Sequence, residues 1–166
     1  MSDKFNAGNR VSEQFQDPLE NYDPPEFKDP LERALHDCQV AEIQTHPYVS
    51  ISPDATIETA LQQLAQSHVA CLLVEEDGKL LGVFSDRDFL NKAALEYDDI
   101  KARPVREVMT SDPIYVFDTD SAAAALAVMA VSGYRHVPVV NLEHKLTGIV
   151  SPLRVLGFLK EHSSEA

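Results

Sequence analysis

Two polar side chains, Ser85 and Asp88, stand where an apolar stretch gives way to a helical pattern. The carboxylate of Asp88 offers two acceptor oxygens that suit a pair of sugar hydroxyls. The Ser85 hydroxyl and the free N–H groups of a helix start suit a phosphate, and Arg87 adds positive charge. The same Ser-x-x-Asp spacing is also a capping box, which any helix can use. Local evidence leaves both interpretations open.

The chain repeats itself, and the second copy varies this stretch. Residues 40–45 match residues 105–110 at an offset of 65, and residues 82–88 match residues 148–154 at an offset of 66. The second copy keeps the Gly and the Ser but has Arg154 where the first has Asp88. Two copies are too few for a solenoid, so we expect a pseudo-twofold pair that buries a shared face.

Each copy has the same order of local patterns. A short extended piece precedes a helix, an apolar run and a turn follow, and a hairpin strand leads into a second helix. The helices are predicted at 56–67 and 86–96 in the first copy and at 121–132 and 152–161 in the second. The fold class is therefore α+β, with two β-α-β-β-α repeats packed as one body.

The sequence divides into five predicted segments. An acidic, proline-interrupted stretch suggests a flexible arm, and Asp29-Pro30 with Glu32 is a helix start signal. The predicted segments are the arm at 1–28, a short helix at 29–39, the first repeat at 40–97, a linker at 98–104 and the second repeat at 105–162.

Composition narrows the function classes. The net charge of −13 and the pI of about 4.7 disfavour nucleic-acid binding. No apolar run approaches the roughly 20 residues that cross a bilayer, and no secretory signal is present, so we expect no membrane partner and a cytoplasmic protein. Neither the two cysteines nor the six histidines show metal-site spacing. Catalytic motifs are lacking, so we expect no enzyme, no catalytic residue and no cofactor.

In combination these motifs resemble the CBS domain, a family named for cystathionine beta-synthase and normally found as a tandem pair. The resemblance rests on the Val-x-Glu-Val-Met-Thr opening of the second copy, the run Arg-His-Val-Pro-Val-Val at 135–140, and the Gly and Ser that close each hairpin strand. It implies a regulatory module that binds adenosine-containing ligands in clefts between the repeats, with AMP, ADP or ATP as the expected ligand.

The resemblance also implies a set of site residues. The family pattern at the strand-to-helix junction matches Val83, Ser85 and Asp88, with the Asp accepting ribose hydroxyls and Arg87 at the mouth. The opposite repeat would complete the cleft. By position, Asp112, Pro113 and Ile114 would flank the base, and Tyr134, Arg135 and His136 would face the phosphates. A helix cap at Asp88, a surface salt bridge at Arg135 and a half-buried His136 are the structural alternatives.

The mirror-image cleft is expected to differ. It would use Ile149, Ser151 and Arg154, and an arginine cannot accept ribose hydroxyls. We therefore expect one nucleotide site per chain. The resemblance further implies a homodimer, and an unidentified protein partner is compatible with the acidic arm. Two alternatives stay open: an interaction platform with vestigial clefts, or a sensor of S-adenosylmethionine or NAD.

Overall fold

A short helix precedes the two repeats. The structure, a computed structural model, describes residues 27 and 29–163, so nearly all of the predicted arm lies outside the described residues. Helix α1 spans Pro30–Asp37, and the Asp29 side chain caps it by accepting a hydrogen bond of 2.8 Å from the Leu31 N–H. Ala34 is buried on its inner face. Through this face α1 packs on the two helices of the second repeat.

The first repeat begins with a 3₁₀ turn at Val40–Glu42 and contains a four-stranded sheet. In this sheet β1 runs parallel to β2, β2 and β3 form a hairpin, and β4 comes from the start of the second repeat. The elements are β1 Ser50–Ile51, α2 Ile57–Ser67, β2 Cys71–Glu76, β3 Lys79–Ser85, α3 Asp86–Lys92, a 3₁₀ turn Ala94–Glu96, α4 Tyr97–Ile100 and β4 Thr110–Ser111.

The second repeat follows the same plan with a three-stranded sheet. Its parallel pair β5–β6 and its hairpin β6–β7 correspond to β1–β2 and β2–β3. The elements are a 3₁₀ turn Val105–Glu107, β5 Val116–Phe117, α5 Ala122–Ser132, β6 Val137–Val140, β7 Leu146–Val150 and α6 Pro152–Ser163. The predicted α+β fold of two β-α-β-β-α repeats is thus confirmed.

The opening segment of each repeat lies on the last strand of the other repeat. Thr110 pairs with Val83, and the Ile149 N–H donates to the Thr45 carbonyl oxygen at 3.1 Å. The approach is close on both sides. A Cβ at Gly148 would lie 2.5 Å from the Thr45 Cβ, and one at Gly82 would lie 2.9 Å from the Thr110 carbonyl oxygen. Glycine at these two positions is therefore required by space.

Three groups of buried apolar residues hold the body together. One fills each repeat, and a smaller third group joins the two sheets through Cys71, Leu73, Leu146 and Ile149. Beside it, the equivalent residues Lys79 and Lys145 form a bridge between the two hairpin turns. This bridge lies where a pseudo-twofold axis relates the repeats.

The helix predicted at 86–96 is interrupted in the structure. At Ala93 the backbone leaves the helical region, with φ at −130°, and the chain turns before α4. The turn buries both Ala93 and Ile100 in the first repeat. It also places the Tyr97 ring edge-on against the Phe89 ring, with 5.8 Å between the ring centroids. Burial of these apolar groups explains the break, which helical periodicity alone does not reveal. Among the described helices, none has the length and apolar character needed to cross a bilayer.

Candidate functional site

A cavity of about 110 Å³ lies between the repeats at the N-terminus of α3. One wall comes from the end of β3 and the first turn of α3, and the facing wall precedes β6 in the other repeat. Seven of the ten predicted site residues line it: Val83, Ser85, Arg87, Asp88, Tyr134, Arg135 and His136. Folding thus brings together the two halves that the sequence analysis placed opposite one another.

Ser85 and Asp88 form a complete capping box at the start of α3. The Asp88 N–H donates to the Ser85 Oγ at 3.3 Å, and the Ser85 N–H donates to the Asp88 Oδ2 at 3.0 Å. The Ser85 hydroxyl also donates to the same Oδ2 at 2.6 Å. Ser85 and Asp88 therefore cap α3 in this structure. Any role of these two side chains in ligand binding is in addition to capping.

The Asp88 carboxylate is buried and charged. Its side chain is 11% exposed, and its Oδ1 accepts hydrogen bonds from the Lys92 Nζ at 2.8 Å and the Thr110 Oγ1 at 2.7 Å. Burial opposes ionisation, but the hydrogen bonds from Lys92, Ser85 and Thr110 outweigh it, so the pKa of Asp88 is lowered. Asp88 is therefore ionised at neutral pH, and its charge is paired with that of Lys92.

The mouth of this cavity carries opposite charges from both repeats. The Arg135 Nη2 and the Asp86 Oδ1 face each other at 3.9 Å, and both side chains are more than half exposed. Behind them, burial and then the charge of Arg135 lower the pKa of His136, so this ring is neutral at pH 7. Arg87 also lines the cavity from the first turn of α3. The mouth can therefore attract an anion by exchange for Asp86.

Three predicted site residues do not line this cavity. Asp112 lines a separate cavity of about 590 Å³ beside the hairpin turns, and its N–H donates to the Leu81 carbonyl oxygen at 3.3 Å. Pro113 is buried, and Ile114 is 49% exposed. They lie beyond β4, and their base-flanking role stays a prediction.

Sequence reasoning missed four residues of the lining, namely Cys71, Asp86, Thr110 and Gly133. Asp86 lies inside the singled-out stretch, and its position next to Ser85 was an available signal. No local signal marks Thr110, which reaches the cavity because β4 pairs with β3 across the repeats. Cys71 borders both this cavity and the mirror-image cleft.

The mirror-image cleft is a cavity of about 450 Å³ at the N-terminus of α6. All the residues placed there from the sequence line it, and no acidic side chain is present in the part of its wall that the structure describes. Its lining is Pro47, Tyr48, Val49, His68, Val69, Ala70, Cys71, His136, Ile149, Ser151, Pro152, Leu153 and Arg154. Arg154 donates to the Ile149 carbonyl oxygen at 2.7 Å and to the Pro47 carbonyl oxygen. The guanidinium therefore fastens backbone at the position where the first cleft has a carboxylate.

Cys71 and His136 border both cavities. Burial raises the pKa of the Cys71 thiol to about 12, so this shared wall is uncharged on the cysteine side. In the described part of the chain, no group of three or more His, Cys, Asp or Glu side chains is placed to hold a metal ion.

A family model for the CBS domain matches residues 40–94 and 105–161, the same two repeats. The chain belongs to the CBS-domain family. Among curated relatives, an uncharacterized 17.7 kDa protein of Acidianus ambivalens is 30% identical over 114 residues, which are 68% of each chain. Other relatives are much longer: the chain matches 22% of the homoserine O-acetyltransferase of Methanosarcina acetivorans, at 26% identity over 73% of this chain. That enzyme name describes a protein of which this CBS pair matches a minor part.

Solved CBS structures superpose on both repeats. The CBS domain protein PAE2072 from Pyrobaculum aerophilum, solved with AMP, is 30% identical with a TM-score of 0.66, covering 78% of this chain and all of that one. CBSX2 in complex with AMP is 26% identical with a TM-score of 0.65, covering 74% of this chain and 96% of that one. The pseudo-twofold arrangement of the two repeats agrees with these CBS pairs.

Proposed function

We propose that this chain is a regulatory module that binds one adenine nucleotide, AMP, ADP or ATP, in the cavity at the N-terminus of α3. The observation that carries the proposal is the meeting of Asp88 from one repeat with Arg135 and His136 from the other in a single cavity. A buried carboxylate opposite an exposed guanidinium suits a ribose and its phosphate.

Each side chain has a chemical role in this proposal. Asp88 accepts the ribose hydroxyls, and Val83 packs beside the sugar. Arg135 gives up Asp86 for the phosphate oxygens, to which a guanidinium donates two parallel hydrogen bonds. Arg87 adds a second positive charge at the same end. Asp112, Pro113 and Ile114 keep their predicted role beside the base.

The ligand must widen the cavity or extend from its mouth. Ligand pockets usually enclose roughly 300–1,000 Å³, and this cavity measures about 110 Å³. The two repeats meet at its mouth through Arg135 and Asp86. Separation of this pair opens the cleft and changes the angle between the repeats. In this way ligand binding produces a regulatory change, provided that the ligand binds the open and closed states unequally.

Two relatives support the class of ligand. PAE2072 and CBSX2, both above 25% identity to this chain, were solved with AMP. The number of phosphates does not follow from these relatives, and S-adenosylmethionine and NAD share the adenosine that Asp88 would bind. All five compounds therefore belong in the test.

Calorimetric titration of the purified chain with AMP, ADP, ATP, S-adenosylmethionine and NAD tests the proposal. We expect one site per chain for an adenine nucleotide, weakened at least tenfold by Asp88→Ala and by Arg135→Ala. Arg154→Ala is the matched control from the equivalent position of the other repeat and should leave the affinity within about twofold. If none of the five compounds binds below about millimolar, an affinity of only −4 kcal/mol, the sensor proposal fails.

A second copy of the chain is the proposed protein partner. Leu90 and Leu156 occupy equivalent positions on α3 and α6 and are 67% and 61% exposed. Exposed apolar side chains repeated by the internal symmetry form a surface suited to a twofold partner. Light scattering during size-exclusion chromatography should give twice the monomer mass of 18.4 kDa. A monomer would leave this face for a different protein and favour the interaction-platform alternative.

A further inference from the structure

Asp88 has no unused acceptor position in this structure. Its Oδ2 accepts from the Ser85 N–H at 3.0 Å and from the Ser85 hydroxyl at 2.6 Å. Its Oδ1 accepts from the Lys92 Nζ at 2.8 Å and from the Thr110 hydroxyl at 2.7 Å. An ionised carboxylate offers about four lone-pair positions. A ribose hydroxyl can therefore bind Asp88 only by replacing one of these donors.

The two oxygens differ in the origin of their donors. The donors to Oδ2 both belong to Ser85, three residues away, and they cap α3. The donors to Oδ1 connect α3 with β4, because Thr110 lies 22 residues along the chain in the other repeat. Replacement at Oδ2 would break the helix cap, whereas replacement at Oδ1 leaves the cap intact.

Lys92 can leave Oδ1 at low cost. Its Nζ also donates to the Met109 carbonyl oxygen at 3.1 Å and to the Thr110 Oγ1 at 3.2 Å. Its side chain is 40% exposed, so water can replace the lost bond. The Thr110 hydroxyl is a rotor that can turn its hydrogen away from Oδ1. The Oδ1 side of Asp88 is therefore the exchangeable side.

We propose that Thr110 and Lys92 compete with ribose hydroxyls for Oδ1 of Asp88, so that nucleotide binding breaks the hydrogen bond between this carboxylate and β4. This inference rests on the proposed function and assigns its affinity-determining residues. Without ligand, the two internal donors stabilise the contact between the repeats. With ligand, the same carboxylate accepts from the ribose, and β4 is held by its pairing with β3 and its contacts with Lys92.

Nucleotide titrations of the full chain carrying Thr110→Val or Lys92→Met test the competition. Each variant removes one internal donor, so we expect AMP, or whichever of the five compounds binds the wild type, to bind about three- to tenfold more tightly. Thr110→Ser keeps the hydroxyl and should retain wild-type affinity. Lys101→Met removes the same charge at an exposed site, where Lys101 pairs with Asp98 at 3.2 Å, and should also leave affinity unchanged.

The stability of the ligand-free variants separates competition from mere support of the fold. Competition predicts that Thr110→Val lowers the melting temperature without ligand while it raises the affinity. Equal or weaker binding by both Thr110→Val and Lys92→Met would overturn the inference and leave the proposed function standing. Absence of binding by the wild type and by every variant would overturn both.

Discussion

At equivalent positions of the two repeats, Asp88 and Arg154 perform the same mechanical task with opposite charge. Asp88 accepts a hydrogen bond from Thr110, in the opening segment of the second repeat. Arg154 donates to the carbonyl oxygen of Pro47, in the opening segment of the first repeat. Each side chain therefore fastens the first turn of a helix to the segment that crosses over from the other repeat.

Both repeats therefore have a contact between the first turn of a helix and the crossing segment, although the side chain that makes it is acidic in one repeat and basic in the other. An acceptor at Asp88 binds side-chain donors that a ligand can replace. A donor at Arg154 binds backbone carbonyls, which ribose hydroxyls could replace only by acting as acceptors. The first cavity has a buried carboxylate and the second has no acidic residue in its described wall. The two clefts therefore differ in charge at equivalent positions, with a carboxylate in the first and a guanidinium in the second.

The largest expected effect is on stability when each fastening residue is removed. Asp88→Ala deletes four hydrogen bonds to a charged acceptor and leaves the Thr110 hydroxyl and the Ser85 N–H without it, so the free energy of unfolding should fall by about 2–3 kcal/mol. Arg154→Ala leaves two carbonyls, one of them at exposed Pro47, and should cost about 1 kcal/mol. Urea unfolding without ligand measures both.

Asp98→Ala is the control for loss of a carboxylate. Asp98 pairs with Lys101 on the surface, where a single ion pair contributes little to stability. If Arg154→Ala destabilised the chain more than Asp88→Ala, the side-chain joint would be the weaker of the two and the comparison would need to be reversed.

The next effect concerns the space between each strand and the crossing segment. Gly148→Ala places a methyl group 2.5 Å from the Thr45 Cβ, and the β-branched side chain and its backbone have little freedom to move. We expect a loss of about 1–3 kcal/mol in the free energy of unfolding. Gly82→Ala should cost less, because its nearest contact is the flexible end of Met109, although the Thr110 carbonyl oxygen also lies at 2.9 Å.

Gly157→Ala is the matched control for these glycine substitutions. Gly157 lies inside α6 with no atom within 4 Å of an added Cβ, so alanine should stabilise the helix by up to about 1 kcal/mol. Thermal melts compare all three variants. Tolerance of Gly148→Ala without loss of stability would mean that the crossing segment is loosely held.

The smallest effect is the pH dependence contributed by His136, which borders both clefts. Burial and the charges of Arg135 and Arg154 lower its pKa below 6.5, against the opposing effect of Asp86. The unfolded chain therefore takes up this proton first. The stability is complete above about pH 6.5 and falls as the pH drops towards the folded-state pKa.

Melting temperatures of the wild type and His136→Gln between pH 7.5 and 5.5 test this sign. The wild type should lose more stability on acidification than the variant, whose side chain does not titrate. Parallel curves would show that the ring is as accessible to protons in the folded chain as in the unfolded one.

The fold could be predicted from the sequence because the apolar periodicity indicates the helices and strands, and the internal repeat indicates that the same set occurs twice. The resemblance to the CBS domain implied that Asp88 faces Arg135 and His136, and the three residues line one cavity in the structure. The Lys92 contacts could not be foreseen in this way. Its equivalent in the second repeat is Phe158, a buried core residue, so comparison of the copies gave no guide to its role.

Other features depend on contacts that no local pattern encodes. Helix α3 ends after Lys92 because the turn that follows buries both Ala93 and Ile100. The Arg154 guanidinium turns to the Pro47 and Ile149 carbonyls, and no spacing in the sequence indicates these contacts. In both cases contacts with distant parts of the chain determine the local structure. Intrinsic helix propensity is a weak guide in such packed segments.

The crossing of the opening segments has a consequence for how the molecule can be divided. Each repeat lends the other a piece of backbone: Thr110 completes the first sheet, and the Thr45 carbonyl oxygen accepts from Ile149 in the second. A cut between α4 and the 3₁₀ turn at Val105–Glu107 would produce two fragments that each lack part of their own fold and carry the part the other needs. Because each half needs backbone from the other to complete its fold, we expect the two fragments to complement each other in trans and neither to fold as an autonomous domain.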